Sequence, residues 1–82
     1  MNDEQFDNIL EALKDFAGDS TVPRNVKTKI EGIISLLKGS DGDLSLKINK
    51  ALSELDEISE DPNLQSYTRT QIWNLASLLE SI

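Results

Sequence analysis

The sequence has no cysteine and no histidine, and it contains only two prolines and one tryptophan among 82 residues. Disulfides, thiolate chemistry, imidazole acid–base chemistry and the usual zinc ligands are therefore excluded together. No apolar run approaches the ~20 residues of a membrane-spanning helix. The acidic residues 1–8 lack the apolar core of a signal peptide. We therefore expect no metal, no other cofactor, no membrane association and a cytoplasmic location.

Acidic residues outnumber basic residues by fifteen to eight, which gives a net charge of −7. The excess is uneven, because residues 1–40 carry seven acids and five bases and residues 41–82 carry eight acids and three bases. Such a charge repels a polyanion, so nucleic acid is disfavoured as a partner. The length favours one domain over residues 1–82.

A faint internal repeat relates residues 6–40 to residues 48–82 at an offset of 42 without a gap. Eight of the 35 aligned positions are identical. Chance similarity between two pairs of amphipathic helices is the alternative explanation. A repeat of this length is typical of stacked helix–turn–helix units, each too small to bury its apolar face alone.

Apolar residues recur every three or four positions in four segments, which is typical of amphipathic helices. The predicted fold is all-α. It is a four-helix bundle built from two repeated αα-hairpins. The hairpins span about 3–38 and 44–81, and a glycine-rich link over 39–43 joins them. Leu55 and its repeat counterpart Leu13 are predicted at the centre of the core.

Four short polar residues are predicted to cap the N termini of the helices. They are Asn2, Thr21, Asp43 and Asn63. Gly39 is expected to end the second helix. A calcium loop beginning at Asp41 is excluded, because Leu52 would occupy its twelfth position, where glutamate is required.

Acidic residues gather where the third helix is predicted to end, although the helix dipole disfavours them there. They are Asp56, Glu57, Glu60 and Asp61. We expect Arg69 to form ion pairs with them, because the turn brings the fourth helix back beside this end. Paired carboxylates can perform acid–base chemistry, but no nucleophile, metal-ligand set or phosphate-binding loop accompanies these. We therefore predict no catalytic residue.

Trp73 is the one unusual side chain, because its repeat counterpart is Glu31 on the outer side of the second helix. One interpretation is that its ring lies over the third helix as a lid on a small core. The other is that Trp73, with Arg69 and Ala76, binds a protein partner or a second copy of the chain, since tryptophan and arginine are enriched at binding hot spots.

Three segments together resemble a known family. They are DSTVPRN at 19–25, LDEISEDPN at 55–63 and TRTQIWN at 68–74. The chain resembles the family of small uncharacterised archaeal all-helical proteins. Gln65 departs from the resemblance, because proline is expected there. The resemblance implies a compact bundle of helices and no assigned activity, and it transfers no catalytic or ligand-binding residue.

The function favoured by these observations is a non-enzymatic protein-interaction module, with self-association as one form of that interaction. The alternative is an RNA-associated accessory protein in which Trp73 and Tyr67 stack on bases. The cations beside them would be Arg24, Lys27, Lys29 and Arg69.

Overall fold

The computed structural model describes residues 3–39 and 42–82, with the side chain of Asp3 excepted. These residues form four α-helices, which confirms the all-α bundle. The helices are α1 (Asp3–Ala17), α2 (Arg24–Lys38), α3 (Leu44–Ser59) and α4 (Ser66–Glu80). Two of them, α1 and α3, begin directly after their predicted caps, whereas α2 and α4 begin two residues later than the predicted caps Thr21 and Asn63 require.

The four helices form a closed ring in which each packs against its neighbours in the chain and α4 returns to α1. Short connections make successive helices antiparallel. The inward stripes meet in one apolar core, in which Leu13, Ile30, Leu55 and Leu79 are fully buried. The prediction that Leu55 belongs to the core is confirmed.

The predicted cap of α2 is wrong. Thr21 does not accept a hydrogen bond from the first turn of that helix. Instead its backbone N–H and hydroxyl donate to Asp19 Oδ1, at 2.9 and 2.7 Å. Pro23 is the residue that precedes α2, and its extended backbone (ψ 148°) carries no capping side chain. The missing N–H of proline costs nothing at this position.

The predicted cap of α4 is wrong for the same reason. The backbone N–H of Asn63 donates to Asp61 Oδ1 at 2.9 Å, so Asn63 belongs to the preceding turn. The helix begins after Gln65, whose backbone is also extended (ψ 152°). Gln65 therefore adopts the proline-like backbone of its counterpart Pro23 without being proline.

The ends of the link between the hairpins follow the prediction. Asp43 caps α3, because its carboxylate accepts a hydrogen bond from the Ser45 backbone N–H at 2.8 Å. Gly39 ends α2, and its N–H donates to the carbonyl oxygens of Ser35 and Leu36. The predicted cap Asn2 and the link residues 40 and 41 lie outside the described part of the chain.

The two hairpins share local geometry at positions 42 residues apart. The backbone N–H of Val22 donates to the Asp19 carbonyl, and that of Leu64 donates to the Asp61 carbonyl, at 3.1 and 3.2 Å. In the first turns of α2 and α4, the threonine hydroxyls of Thr28 and Thr70 each donate to the carbonyl four residues earlier, at 3.1 Å. The internal repeat of two hairpins, and a single domain over 1–82, remain predictions.

Membrane insertion through a helix has no support in the described residues. Over 3–39 and 42–82, every helix is too short or too polar to cross a bilayer.

Candidate interaction groove around Trp73

Trp73 lies on the outer side of α4, and 56% of its surface is exposed. Its neighbour in sequence, Ile72, points inward and is buried. Successive residues of a helix are rotated by about 100°, so the two side chains leave α4 in different directions. The interpretation of Trp73 as a buried lid is therefore wrong, because more than half of the residue faces solvent.

A groove of about 350 Å³ runs between α3 and α4 beside this tryptophan. We call it the Trp73 groove. The residues that line it are Asn49, Leu52, Ser53, Leu55, Asp56, Ile72, Trp73, Ala76 and Glu80. Leu55 and Ile72 are buried and form its floor, whereas Leu52 and Ala76 are partly exposed. The groove therefore offers an apolar floor, an aromatic wall and a polar rim.

The rim of the Trp73 groove carries negative charge. Asp56 on α3 and Glu80 on α4 both line the groove, and both are exposed. Glu80 also lies in the last turn of α4, where the helix dipole adds partial negative charge. None of the described residues that line the groove is lysine or arginine. The groove therefore favours a positively charged ligand.

Arg69 lies at the end of α3 as predicted, but its guanidinium donates hydrogen bonds to backbone carbonyls, one of them that of Asp61, where carboxylates were predicted to accept. Its Nε donates to the Ser59 carbonyl at 2.8 Å, and one terminal guanidinium nitrogen donates to the Asp61 carbonyl at 3.0 Å. The Asp61 carboxylate instead accepts from the Asn63 N–H and from the Asn25 side-chain amide, at 2.9 and 3.3 Å. A guanidinium presents several donors in a rigid fork, which suits two adjacent carbonyls.

The guanidinium completes the hydrogen bonding of the last turn of α3. Helices end with four carbonyls that lack partners within the helix. Here those of residues 56, 57, 58 and 59 accept from Ser59 Oγ, Glu60 N, Asp61 N and Arg69 Nε, respectively. Arg69 thus holds the turn between α3 and α4.

Of the three predicted partner-binding residues, the structure places Trp73 and Ala76 together in the groove and Arg69 outside its lining.

The first hairpin has an equivalent groove with different charges. Residues that line it include Leu10, Glu11, Lys14 and Lys38. At the offset of 42, Lys14 corresponds to Asp56, and Lys38 corresponds to Glu80. The position of Trp73 is taken by Glu31. The two grooves thus share a place in the fold and differ in chemistry. Asp56 and Glu80 were not predicted as groove residues, although the repeat alignment pairs both with lysine, which is a change of charge at two equivalent positions.

The stacking groups required by the RNA alternative do not share one face of α4. Tyr67 is 69% exposed and Trp73 is 56% exposed, so both rings are accessible. They are six residues apart, which places them about 120° apart around the helix. Arg69, one of the proposed phosphate-binding cations, donates to backbone carbonyls.

Asp19 is the one described carboxyl with a clear shift in acidity. Hydrogen bonds from the Thr21 backbone N–H and hydroxyl hold the pKa of Asp19 below its usual value of 3.8. Desolvation opposes this shift, and the nearby Lys27 cation adds to it. The lowered pKa thus arises in the turn before α2, whose residues do not line the Trp73 groove.

Among the described residues, no group of three or more acidic, cysteine or histidine side chains could hold a metal ion.

The fold and the groove together define a class, that of small acidic bundles of four α-helices. Within it, the chain belongs to the uncharacterised protein family UPF0147, whose family model matches residues 1–82. This confirms the resemblance to small uncharacterised archaeal proteins.

Two archaeal relatives show the similarity within this family. A UPF0147 protein of Archaeoglobus fulgidus is 43% identical over 82 residues, covering 100% of this chain and 93% of its own. One from Methanosarcina mazei is 42% identical over 73 residues, covering 89% and 78%.

Two crystal structures have the same fold. A UPF0147 protein from Thermoplasma acidophilum superposes with a TM-score of 0.90 at 30% identity, covering 96% of this chain and 93% of its own. The protein of unknown function MMP1188 superposes with a TM-score of 0.90 at 36% identity, covering 100% and 93%.

Proposed function

We propose that the protein is a non-enzymatic interaction module that binds a protein partner through the Trp73 groove. The observation that carries the proposal is a tryptophan that is 56% exposed beside a groove with an apolar floor. Tryptophan is enriched among the few residues that dominate binding energy at protein interfaces. The groove is formed by two packed helices, which hold such a residue in a fixed position.

Comparison of the two hairpins supports this proposal. Glu31 occupies the position of Trp73 in the first hairpin, where the same inward stripe packs around the buried Ile30. A helix in this arrangement therefore packs without an aromatic group on that face. The exposed part of the tryptophan side chain brings no folding benefit that glutamate lacks, so we attribute that exposed apolar surface to an interaction outside the bundle.

The RNA-associated alternative has less support. Asp56 and Glu80 place negative charge beside the exposed ring, and a nucleic-acid backbone is repelled by it. An electrophoretic mobility shift with single-stranded RNA at low salt tests this alternative. We expect no shift, and a salt-sensitive shift abolished by Trp73→Ala would establish it.

Differential capture from an extract of the native host tests the proposed function. Wild-type chain, Trp73→Ala and Glu31→Ala are immobilised in equal amounts. Glu31→Ala is the matched control, because it truncates the equivalent position of the other hairpin. We expect proteins that are retained by the wild type and by Glu31→Ala and lost with Trp73→Ala. Identical retention by all three chains would contradict the proposal.

A further inference from the structure

We propose that the occupant of the Trp73 groove is a basic amphipathic helix of a partner protein. This inference rests on the proposed function and specifies the chemistry of the partner. Apolar side chains of that helix lie on the groove floor, and a lysine or arginine side chain lies over the ring of Trp73.

The charge of the groove selects a basic partner. Asp56 and Glu80 lie on opposite helices and both line the groove. The described residues lining it include no cation to offset these carboxylates. Complementary charge steers a partner to a site and rejects partners of the wrong sign. A cation also interacts favourably with an aromatic face, most strongly with that of tryptophan.

The shape of the groove suits a helix. Above the floor of buried Leu55 and Ile72, its accessible apolar surface comes from Leu52 on α3 and Ala76 on α4. A groove between packed helices is a common receptor for the apolar stripe of a third, whose anchors recur at three- and four-residue steps. The volume of about 350 Å³ accommodates one or two side chains. The remaining contacts therefore fall on the charged rim and on Trp73.

Charge argues against a second copy of the chain as the occupant. Each copy carries a net charge of −7. In a symmetric dimer through this groove, Asp56 and Glu80 would meet the same two carboxylates of the other copy, because a two-fold interface pairs identical patches. Like charges across an interface are costly. The first hairpin offers Lys14 and Lys38, but Asp7, Glu11 and Asp15 line the same groove and outnumber them.

A displayed library of random helical peptides tests the inference. It is selected on the wild-type chain after counter-selection on Trp73→Ala, so that only peptides depending on the tryptophan remain. We expect the enriched peptides to carry lysine or arginine together with apolar residues at three- and four-residue spacing. Enrichment of neutral or acidic peptides would overturn the basic-helix inference and leave the proposed function intact. Absence of any peptide that depends on Trp73, together with identical retention in the capture experiment, would overturn both.

One enriched peptide is then titrated against two charge variants. Asp56→Asn/Glu80→Gln removes both carboxylates from the Trp73 groove. Glu54→Gln/Glu57→Gln removes the same number from the α2–α3 side, where these residues line a different groove. Because each exposed ion pair contributes about 0.2–1 kcal/mol, we expect the loss of both in the first variant to weaken binding by about two- to thirtyfold.

The second variant controls for net charge, and we expect it to bind within about twofold of wild type. Equal weakening by both variants would show that net charge alone attracts the peptide and would overturn the assignment to this groove. Sedimentation analysis of the free chain completes the test. A dimer that Trp73→Ala dissociates would place a second copy in the groove and would also overturn the inference.

Discussion

Trp73 and Glu31 occupy equivalent positions on the outer faces of two similar hairpins, and only glutamate is a common residue at such a solvated position. Glutamate on an outer helical face is solvated and inexpensive. A tryptophan there exposes a large apolar group to water, and large side chains of this type are the usual centres of binding energy. Substituting Trp73 and Glu31 in parallel therefore separates the effect of the aromatic side chain from that of its position on the helix.

Trp73→Ala should change the free energy of unfolding by less than about 1 kcal/mol, because the side chain leaves much of its surface in water. Urea denaturation of the two chains measures this difference. Glu31→Ala is the control for truncation on an outer face. A loss of roughly 3–5 kcal/mol, typical of a buried aromatic side chain, would show that the ring serves the core.

Asp19 should make stability depend on pH in the acidic range. Its pKa is lower in the folded chain than the usual 3.8, because the backbone N–H and hydroxyl of Thr21 donate to its carboxylate. The unfolded chain therefore binds the proton more readily. The stabilising contribution is complete above the unfolded pKa and is lost as pH falls below about 4 through the folded pKa.

Asp19→Asn tests this dependence because it removes the titrating carboxyl and keeps an acceptor oxygen. In thermal melts between pH 2 and pH 6, we expect the variant to lose less stability on acidification than the wild type. Glu31→Gln makes the same change in net charge and should follow the wild-type profile. Parallel profiles for wild type and Asp19→Asn would show that the Thr21 hydrogen bonds do not contribute.

At the scale of helices, the end of α3 depends on a residue from α4. Arg69 donates to the carbonyls of Ser59 and Asp61, so the two helices are joined through backbone oxygens as well as through the core. This bonding explains how α3 ends with acidic residues and no cation of its own in its last turn. The cation that suits the helix dipole is supplied by the next helix.

Arg69→Met should lower the free energy of unfolding by about 1.5–3 kcal/mol, because it removes two hydrogen bonds from a charged donor and leaves their acceptors partly buried. Chemical denaturation measures the loss. Lys27→Met changes the equivalent residue of the first hairpin and should cost clearly less. Equal losses for the two variants would contradict the specific role of Arg69.

Leu55→Ala should cost about 2–5 kcal/mol, since it creates a cavity at a residue with 0% exposure. Leu46→Ala in the same helix removes the same atoms from a side chain that is 68% exposed, and it should change stability little. Urea denaturation of both variants separates packing from helix propensity. A loss below about 1 kcal/mol for Leu55→Ala would show that the packing of Leu55 does not stabilise the core.

The bundle as a whole could be predicted from the period of its apolar residues, because burial of one stripe per helix dominates its energetics. The starts of α2 and α4 could not. Thr21 and Asn63 have the side chains of good caps, but Asp19 and Asp61 engage them as donors one turn earlier. Each of these residues can either cap the helix or donate to the preceding aspartate. The sequence alone does not show which of the two hydrogen bonds forms.

The candidate site was predictable in part for a similar reason. The outer position of Trp73 followed from its alignment with Glu31, but the exposure of the ring did not, because a buried lid remained an alternative. The acidic rim depended on how two helices rotate against each other, which brings Asp56 and Glu80 to the same groove from positions 24 residues apart. The partner of Arg69 depended on the Asp61 carboxylate being occupied by Asn63 and Asn25. The groove and the contact with Asn25 both join residues that are far apart in the sequence.

The most direct test of the central claim uses the single tryptophan of the chain as its own reporter. Acrylamide quenching of Trp73 fluorescence is measured on the free chain and again with a partner obtained by capture or peptide selection. We predict strong quenching of the free chain, as the 56% exposure requires, and marked protection when the partner is bound. A ring that is protected in the free monomer, or one that stays equally accessible in the complex, would contradict the assignment of the Trp73 groove as the interaction site.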